Sequence, residues 1–238
     1  MAGIVTAWTL MLAAAGTAAA GTFSLAPVRI ELAGAQRTAV LTVHNDDAAP
    51  LVLQVSALNW TQSTGEDSYA ATRDLLATPP VFTLPANSDQ IVRVALRRDP
   101  DAARELDYRL LLAEVPQPVD KNFTGLRVAL RLSIPVFVKA ASPAPAALAW
   151  RAQWLNDGQL AVSASNAGQK HQQVSDFTLH FAGSDALARG VVSRYVLPGS
   201  TVTWKIAPPA GVARASVMSI RGASDQGDFQ ADVALAGP

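Results

Sequence analysis

The chain contains no cysteine. Disulfides, thiol nucleophiles and thiolate metal sites are therefore excluded, and stability must come from burial alone. Histidine is almost as scarce. His44, His171 and His180 lie far apart, and none sits in a His-x-x-x-His or His-Glu-x-x-His setting. No local zinc signature exists, and neither a metal nor a cofactor is expected. There is no Gly-x-Ser-x-Gly elbow either, so nothing in the residues points to a hydrolase. An enzyme is not expected. Charge of one sign is also missing: 19 Lys and Arg balance 19 Asp and Glu. The basic residues are scattered, which argues against a nucleic-acid footprint.

What is present is apolar. Half of the 238 residues are hydrophobic and only 16% are charged, enough to build a core. One long greasy run stands out, residues 4–15, followed by Thr-Ala-Ala-Ala. Ala18 and Ala20 fit a small-x-small cleavage site, so residues 1–20 read as an export signal and Gly21 as the first mature residue. No Lys or Arg precedes the run, and the alternative is a membrane anchor. The run is short for the ~20 residues that a spanning helix needs. No second run matches it, so no membrane span is expected in the mature chain.

From residue 21 onward short alternating runs dominate. Residues 23–32, 39–45, 51–60, 81–84, 90–96, 108–115 and 126–139 read as seven strands, separated by turn clusters such as Asn45-Asp46-Asp47. Residues 99–106 carry little β signal and read as a helical turn. Residues 141–147, with two prolines among small residues, form a short stiff connector. After it the alternation resumes at 148–155, 159–166, 172–181, 191–197, 201–206, 213–221 and 229–235. The chain is thus expected to be all-β, with two sandwiches of immunoglobulin type at 21–140 and 148–238.

The most distinctive run is 126–138. Leu126, Val128, Leu130, Leu132, Ile134, Val136 and Val138 alternate with Arg127, Arg131 and Ser133 among the odd positions. A period of two gives a strand with one apolar and one wet face. It is longer than an ordinary strand. Such a strand is either fully paired within its own sheet or partly available to another chain.

Two arginines share this ambiguity. Arg29 has the parity of Leu25 and Pro27, so its charge must be paired, sit at a cleft, or snorkel to water. Arg93 shares its parity with Ile91 and Ala95, while Val92, Val94 and Leu96 face the other way. Its default is outward.

Several segments together resemble the periplasmic pilus-assembly chaperones of the chaperone–usher pathway. The most specific is Ala77-Thr-Pro-Pro-Val-Phe-Thr-Leu-Pro-Ala-Asn-Ser-Asp-Gln-Ile-Val-Arg-Val. Leu25 to Arg29, the Val43-His-Asn-Asp turn, Tyr108-Arg-Leu-Leu-Leu-Ala-Glu-Val-Pro and the 126–138 run support it. Ser165-Asn-Ala-Gly-Gln-Lys-His and Val196-Leu-Pro-Gly-Ser extend it over the second half.

The resemblance implies two immunoglobulin-like domains in a boomerang, residence in the periplasm, and two partners. These are pilin subunits and an outer-membrane usher. A pilin lacking its last strand exposes a groove and an unpaired edge, a hazard that strand addition repairs. Leu126, Val128, Leu130 and Leu132 match the donated positions.

The family also implies a basic pair that holds the pilin's C-terminal carboxylate. Arg29 matches the first member. Pro135 stands where a lysine is expected, and proline carries neither charge nor N–H. Ser133-Ile-Pro-Val-Phe-Val instead resembles a divergent branch that serves thin pili or spore-coat-U-like subunits. Either Arg29 anchors alone or a second cation helps, with Arg93 ranked first, ahead of Arg131 and Lys139. Self-association that covers the donor strand is a further expectation.

The competing reading is a secreted β-sandwich binding module, an adhesin or a carbohydrate reader. It would need exposed aromatics, for which Trp60, Trp150, Trp154 and Trp204 are the candidates.

Overall fold

The computed structural model describes residues 22–63, 65–116, 128–182, 187–190, 193–209, 212 and 217–236. Strands are the only regular elements among them. The first are β1 (Phe23–Ala26), β2 (Ile30–Leu32), β3 (Thr38–Asn45), β4 (Leu51–Ser63) and β5 (Glu66–Ala71). Next come β6 (Leu75–Thr78), β7 (Val81–Leu84), β8 (Asp89–Leu96), β9 (Leu106–Glu114) and β10 (Arg131–Val138). The second half holds β11 (Leu148–Trp154), β12 (Leu160–Asn166), β13 (Gln172–Phe181) and β14 (Leu187–Gly190). It ends with β15 (Arg194–Val196), β16 (Thr201–Ile206), β17 (Val217–Ser224) and β18 (Gly227–Ala236).

The first ten strands make two sheets, β1-β3-β8-β6 and β2-β10-β9-β4-β5, with β7 beside β4. Alternation decides which side chains lie between them. In β8, Val92, Val94 and Leu96 are buried while Ile91 and Arg93 are exposed. Leu41, Val43, Leu53, Leu110, Leu112 and Val136 meet them from the other strands with no exposed surface. The last eight strands run β14-β13-β17-β18-β11-β12-β16, with β15 beside β13. They enclose a second core around Leu160, Val162, Phe177, Leu179, Val202 and Ile220. The fold is therefore all-β with two sandwiches, as the periodicity required.

Several expectations need correction. Residues 23–32 are two strands in two sheets. Pairing of β1 with β3 ends at Ala26↔Thr42, because Pro27 has no N–H to continue the ladder. The chain then crosses to β10, where β2 pairs in parallel. Residues 99–106 form no helix. The Asp101 carboxylate instead accepts the N–H groups of Ala103 and Arg104 and closes a turn. Strand β5 was missed because Glu-Asp-Ser-Tyr-Ala-Ala is exposed at every position and so has no buried period. The short β6 and β14 were missed as well. Strand β10 begins at Arg131, with Leu126 outside the described residues.

The sandwiches touch through aromatics. Trp60 of β4 and Phe137 of β10 pack with Leu197, and Tyr195 of β15 leans on them. The β4–β5 hairpin braces the same joint: Gln62 donates to Tyr195 O at 2.8 Å and accepts from Leu197 N at 3.0 Å. The connector is tied at both ends, Ala141 N to Asp101 O at 2.9 Å and Ala167 N to Ala147 O at 2.9 Å. Asn166, buried at the end of β12, donates to Lys170 O and Val196 O and accepts from Ala147 N. A buried polar side chain so fully bonded pins the turns around it.

Candidate subunit-binding strand and cleft

Strand β10 is paired unequally on its two sides. Its whole length, Arg131 to Val138, is antiparallel to β9, from Arg131↔Ala113 to Val138↔Leu106. On the other side β2 covers only Val136, Phe137 and Val138. Cover stops where Pro135 begins, a residue with no N–H to offer. Among the described residues, the outer edge from Arg131 to Pro135 is unpaired. Just before the strand, Glu114 N donates to Leu130 O at 2.9 Å.

The proposed donor positions differ in commitment. Ile134, Val136 and Val138 are buried in their own core. Leu130 and Leu132 are partly buried against that same core. Val128 is 42% exposed and free of it. Leu126 lies outside the described residues. Phe137 points the opposite way, into the joint between the sandwiches, where its ring stacks on His171 at 3.5 Å.

Arg29 sits where the chain crosses between sheets. Its Nη2 lies 3.3 Å from Glu31 Oε1, and its Nη1 donates to Asp225 Oδ2 at 3.1 Å. Asp225 belongs to the β17–β18 turn of the second sandwich, so this ion pair spans the joint. Lys139 Nζ lies 3.1 Å from the other oxygen of Glu31. Arg93 is placed elsewhere, exposed on β8 in the sheet that lacks β2 and β10. The cation brought beside Arg29 is Lys139, and the ranking of Arg93 first is corrected.

The carboxylates respond to their surroundings. Burial alone would raise the Glu31 carboxyl, but Lys139 and Arg29 outweigh it and hold it below its ordinary value. Asp225 is also pushed up by burial and pulled lower still by His171, the Gln173 N–H and Arg29. A cleft of 330 Å³ next to Lys139 is lined further by Glu105, Gln169, Lys170 and Gln226.

Deeper in the joint, residues distant in sequence converge. Glu105 Oε1 accepts from His171 N at 2.8 Å and lies 2.6 Å from His171 Nδ1, within hydrogen-bond distance. His171 Nε2 faces Asp225 Oδ2 at 3.5 Å. Asp107, buried beside Glu105, has its carboxyl driven well up, first by desolvation and then by the Glu105 charge. Ligand atoms of Glu105, Asp107 and His171 lie within 4.8 Å of one another. The 2.6 Å contact is a hydrogen bond, whereas ligand atoms around tetrahedral zinc stand about 3.4 Å apart. The sequence reading missed Glu31, Glu105, His171 and Asp225. Only Glu31 had a signal, the Arg-Ile-Glu spacing that puts two opposite charges on one strand face.

The aromatics do not form a platform. Trp60, Trp154 and Trp204 are buried, and Trp150 is stacked between Trp204 and Phe229 at 5.8 and 5.1 Å.

Solved structures with this architecture span nearly the whole chain. One is a chain of the CsuC–CsuE chaperone–tip adhesion subunit pre-assembly complex from archaic Csu pili of Acinetobacter baumannii. It is 20% identical, with TM-score 0.66, covering 90% of this chain and 99% of that one. The E. coli chaperone DraB is 21% identical, with TM-score 0.61, covering 91% and 98%. A chain of the Salmonella enterica SafA pilin–SafB chaperone complex is 18% identical, with TM-score 0.59, covering 88% and 95%. These likenesses establish the fold. A comparison with curated protein sequences finds no match. Residues 22–144, more than half of the chain, match the family described as pili and flagellar-assembly chaperone, PapD N-terminal domain. The chain belongs to the pili and flagellar-assembly chaperones.

Proposed function

We propose that this chaperone acts in the periplasm, reached through an export signal at residues 1–20. There it lends the open edge of β10 to pilin subunits before they pass to an outer-membrane usher. Its two sandwiches, at 21–140 and 148–238, would join through the connector at 141–147. The observation that carries the proposal is the half-covered strand: β2 stops at Val136, and the edge from Arg131 to Pro135 has no partner among the described residues. An alternating strand with one free edge supplies both backbone bonds and side chains to a guest sheet.

The energetics follow from the burial. Four fully exposed donor side chains would yield ~6–12 kcal/mol gross on burial. Leu130 and Leu132 already pack on their own core, so less remains to be gained from them. Val128 retains the largest share among the described three. Net backbone bonds add ~1 kcal/mol each, and association costs are subtracted from the sum.

Arg29 and Lys139 are the proposed carboxylate anchor. Both lie at the joint, both pair with Glu31, and a guest carboxylate would compete with Glu31 and Asp225 for them. Such an anchor sets register by fixing which donor residue meets which pocket of the guest. The adhesin or carbohydrate-reader alternative lacks support, because its candidate tryptophans are interior.

The test is co-expression with a pilin subunit that lacks its final strand. Val128→Asn is expected to lose the co-purified subunit while the chaperone keeps its unfolding midpoint. Arg29→Ala is expected to lose the subunit with a lower midpoint, since its ion pairs to Glu31 and Asp225 go with it. Wild-type recovery with Val128→Asn would remove the donor-strand assignment. A free chaperone sedimenting as a monomer at all concentrations would remove the idea that a second copy covers the edge.

A further inference from the structure

Six side chains, acidic and basic in turn, cross the joint: Glu105, His171, Asp225, Arg29, Glu31 and Lys139. Their successive separations are 2.6, 3.5, 3.1, 3.3 and 3.1 Å. We infer that His171 is a positioning residue for the carboxylate anchor, acting through Asp225, and that only its imidazolium form serves. The inference rests on the reading of Arg29 as the anchor.

The hydrogen bonds assign the protons. Glu105 Oε1 accepts the His171 backbone N–H and lies 2.6 Å from Nδ1; an ionised carboxylate can only accept, so Nδ1 carries hydrogen. A neutral ring would then turn the Nε2 lone pair toward Asp225 Oδ2, setting two electron-rich atoms 3.5 Å apart. A ring with a proton on each nitrogen instead sets a positive charge between the two carboxylates, hydrogen-bonded to Glu105 and in a longer charge contact with Asp225 at 3.5 Å. It cannot swing away, because it is fully buried and stacked on Phe137 at 3.5 Å.

The charged and titratable groups around the ring come from every neighbouring element. Glu105 and Asp107 face it from the start of β9, and Asp225 from the β17–β18 turn, with Arg29 behind. Tyr195 of β15 lies 5.5 Å from it, ring to ring, and Lys170 precedes it in the chain. Burial by itself would depress the imidazole, but Asp225 and Glu105 outweigh burial and raise it above its ordinary value. Because the value in the folded chain is raised, the charged ring is held below the ordinary histidine range and well into it. It is lost as pH climbs through the raised value.

The consequence concerns Asp225 Oδ2, which is shared between Arg29 Nη1 at 3.1 Å and His171 Nε2 at 3.5 Å. With His171 charged, Asp225 keeps a cation when a guest carboxylate takes its place on Arg29. With His171 neutral, Asp225 depends on Arg29 alone and competes with the guest. Capture should therefore weaken as pH rises.

The experiment uses the full mature chain and a synthetic peptide of alternating valine and threonine. One version ends in a free α-carboxylate and the other in an amide. Kd is measured for both at about pH 5.5 and about pH 9, a range in which the peptide carboxylate stays ionised and free histidine discharges. The preference for carboxylate over amide is expected to fall about tenfold across that range. His171→Gln is expected to show the lower preference at both values. A preference that does not change with pH, or a His171→Gln variant that keeps the change, overturns the role of His171 and leaves the anchor standing. No preference for the carboxylate at either pH overturns the anchor and the inference with it. Should His171→Gln not fold, NMR titration of the ring decides. A midpoint above the ordinary histidine value that drops in Asp225→Asn supports the assignment, and a midpoint at or below the ordinary value overturns it.

Discussion

Arg29 and Lys139 share one carboxylate, with Glu31 lying 3.3 Å from the first and 3.1 Å from the second. Lys139 directly follows β10, so the proposed donor strand and the proposed anchor are consecutive in the chain. Lys139→Ala is expected to weaken subunit binding about tenfold, or ~1.4 kcal/mol. Arg93→Ala, on the other sheet, is expected to leave it unchanged. Calorimetric titration of both variants checks the pair, and an effect at Arg93 without one at Lys139 would reverse the assignment.

Acid should loosen the joint. Glu31 and Asp225 titrate below their ordinary values of 4.5 and 3.8. Their contribution to stability is fully present above those values and is lost as pH falls through the lowered ones. The unfolding midpoint should drop below about pH 4.5, and less steeply in Glu31→Gln. Equal slopes in the two proteins would show that Glu31 carries none of the effect.

Asp107 has the opposite sign. Its carboxyl is raised by burial and by Glu105, so its contribution is most favourable below its ordinary value and is lost as pH climbs through the raised one. Asp107→Asn removes the titrating group and supplies an N–H for Glu105. The variant is expected to be more stable than the parent at neutral pH by ~1 kcal/mol. Chemical denaturation measures it, and a loss of stability would mean that the charge itself is needed.

Gly168 lies against the connector. A Cβ there would stand 2.4 Å from Pro145 O and 2.6 Å from Ala147 N, both backbone atoms with no room to yield. Gly168→Ala is expected to cost ~1–3 kcal/mol, read as a lower thermal midpoint. An unchanged midpoint would mean that the connector shifts freely.

Much of this architecture was legible along the chain. Val92, Val94 and Leu96 against Ile91 and Arg93 told inside from outside in β8, because a strand reverses its side chains at each residue. The same rule failed for Glu66–Ala71, where no face is buried and pairing with β4 alone defines the strand. It failed again at 23–32, where the parity of Arg29 was clear but the transfer to a second sheet was not. Pro27 was in plain view, yet a missing N–H says where pairing stops and not where the chain goes next.

The proposed donor strand stood out because its pattern is local: alternating aliphatics at 128–138 and a proline at 135. Of the proposed anchor, only Arg29 stood out along the chain. Asp225 and Lys139 come from positions that no short pattern links to it, Asp225 being 196 residues away. By itself the sequence determined the absence of thiol chemistry and, wherever one face is buried over several residues, the strands and their inward faces, since these depend on neighbours in the chain. Only the tertiary structure decided that β2 covers three residues of β10 and that Glu105, His171, Asp225, Arg29, Glu31 and Lys139 follow one another across the joint. Both depend on distances between separate strands, and folding alone brings those together.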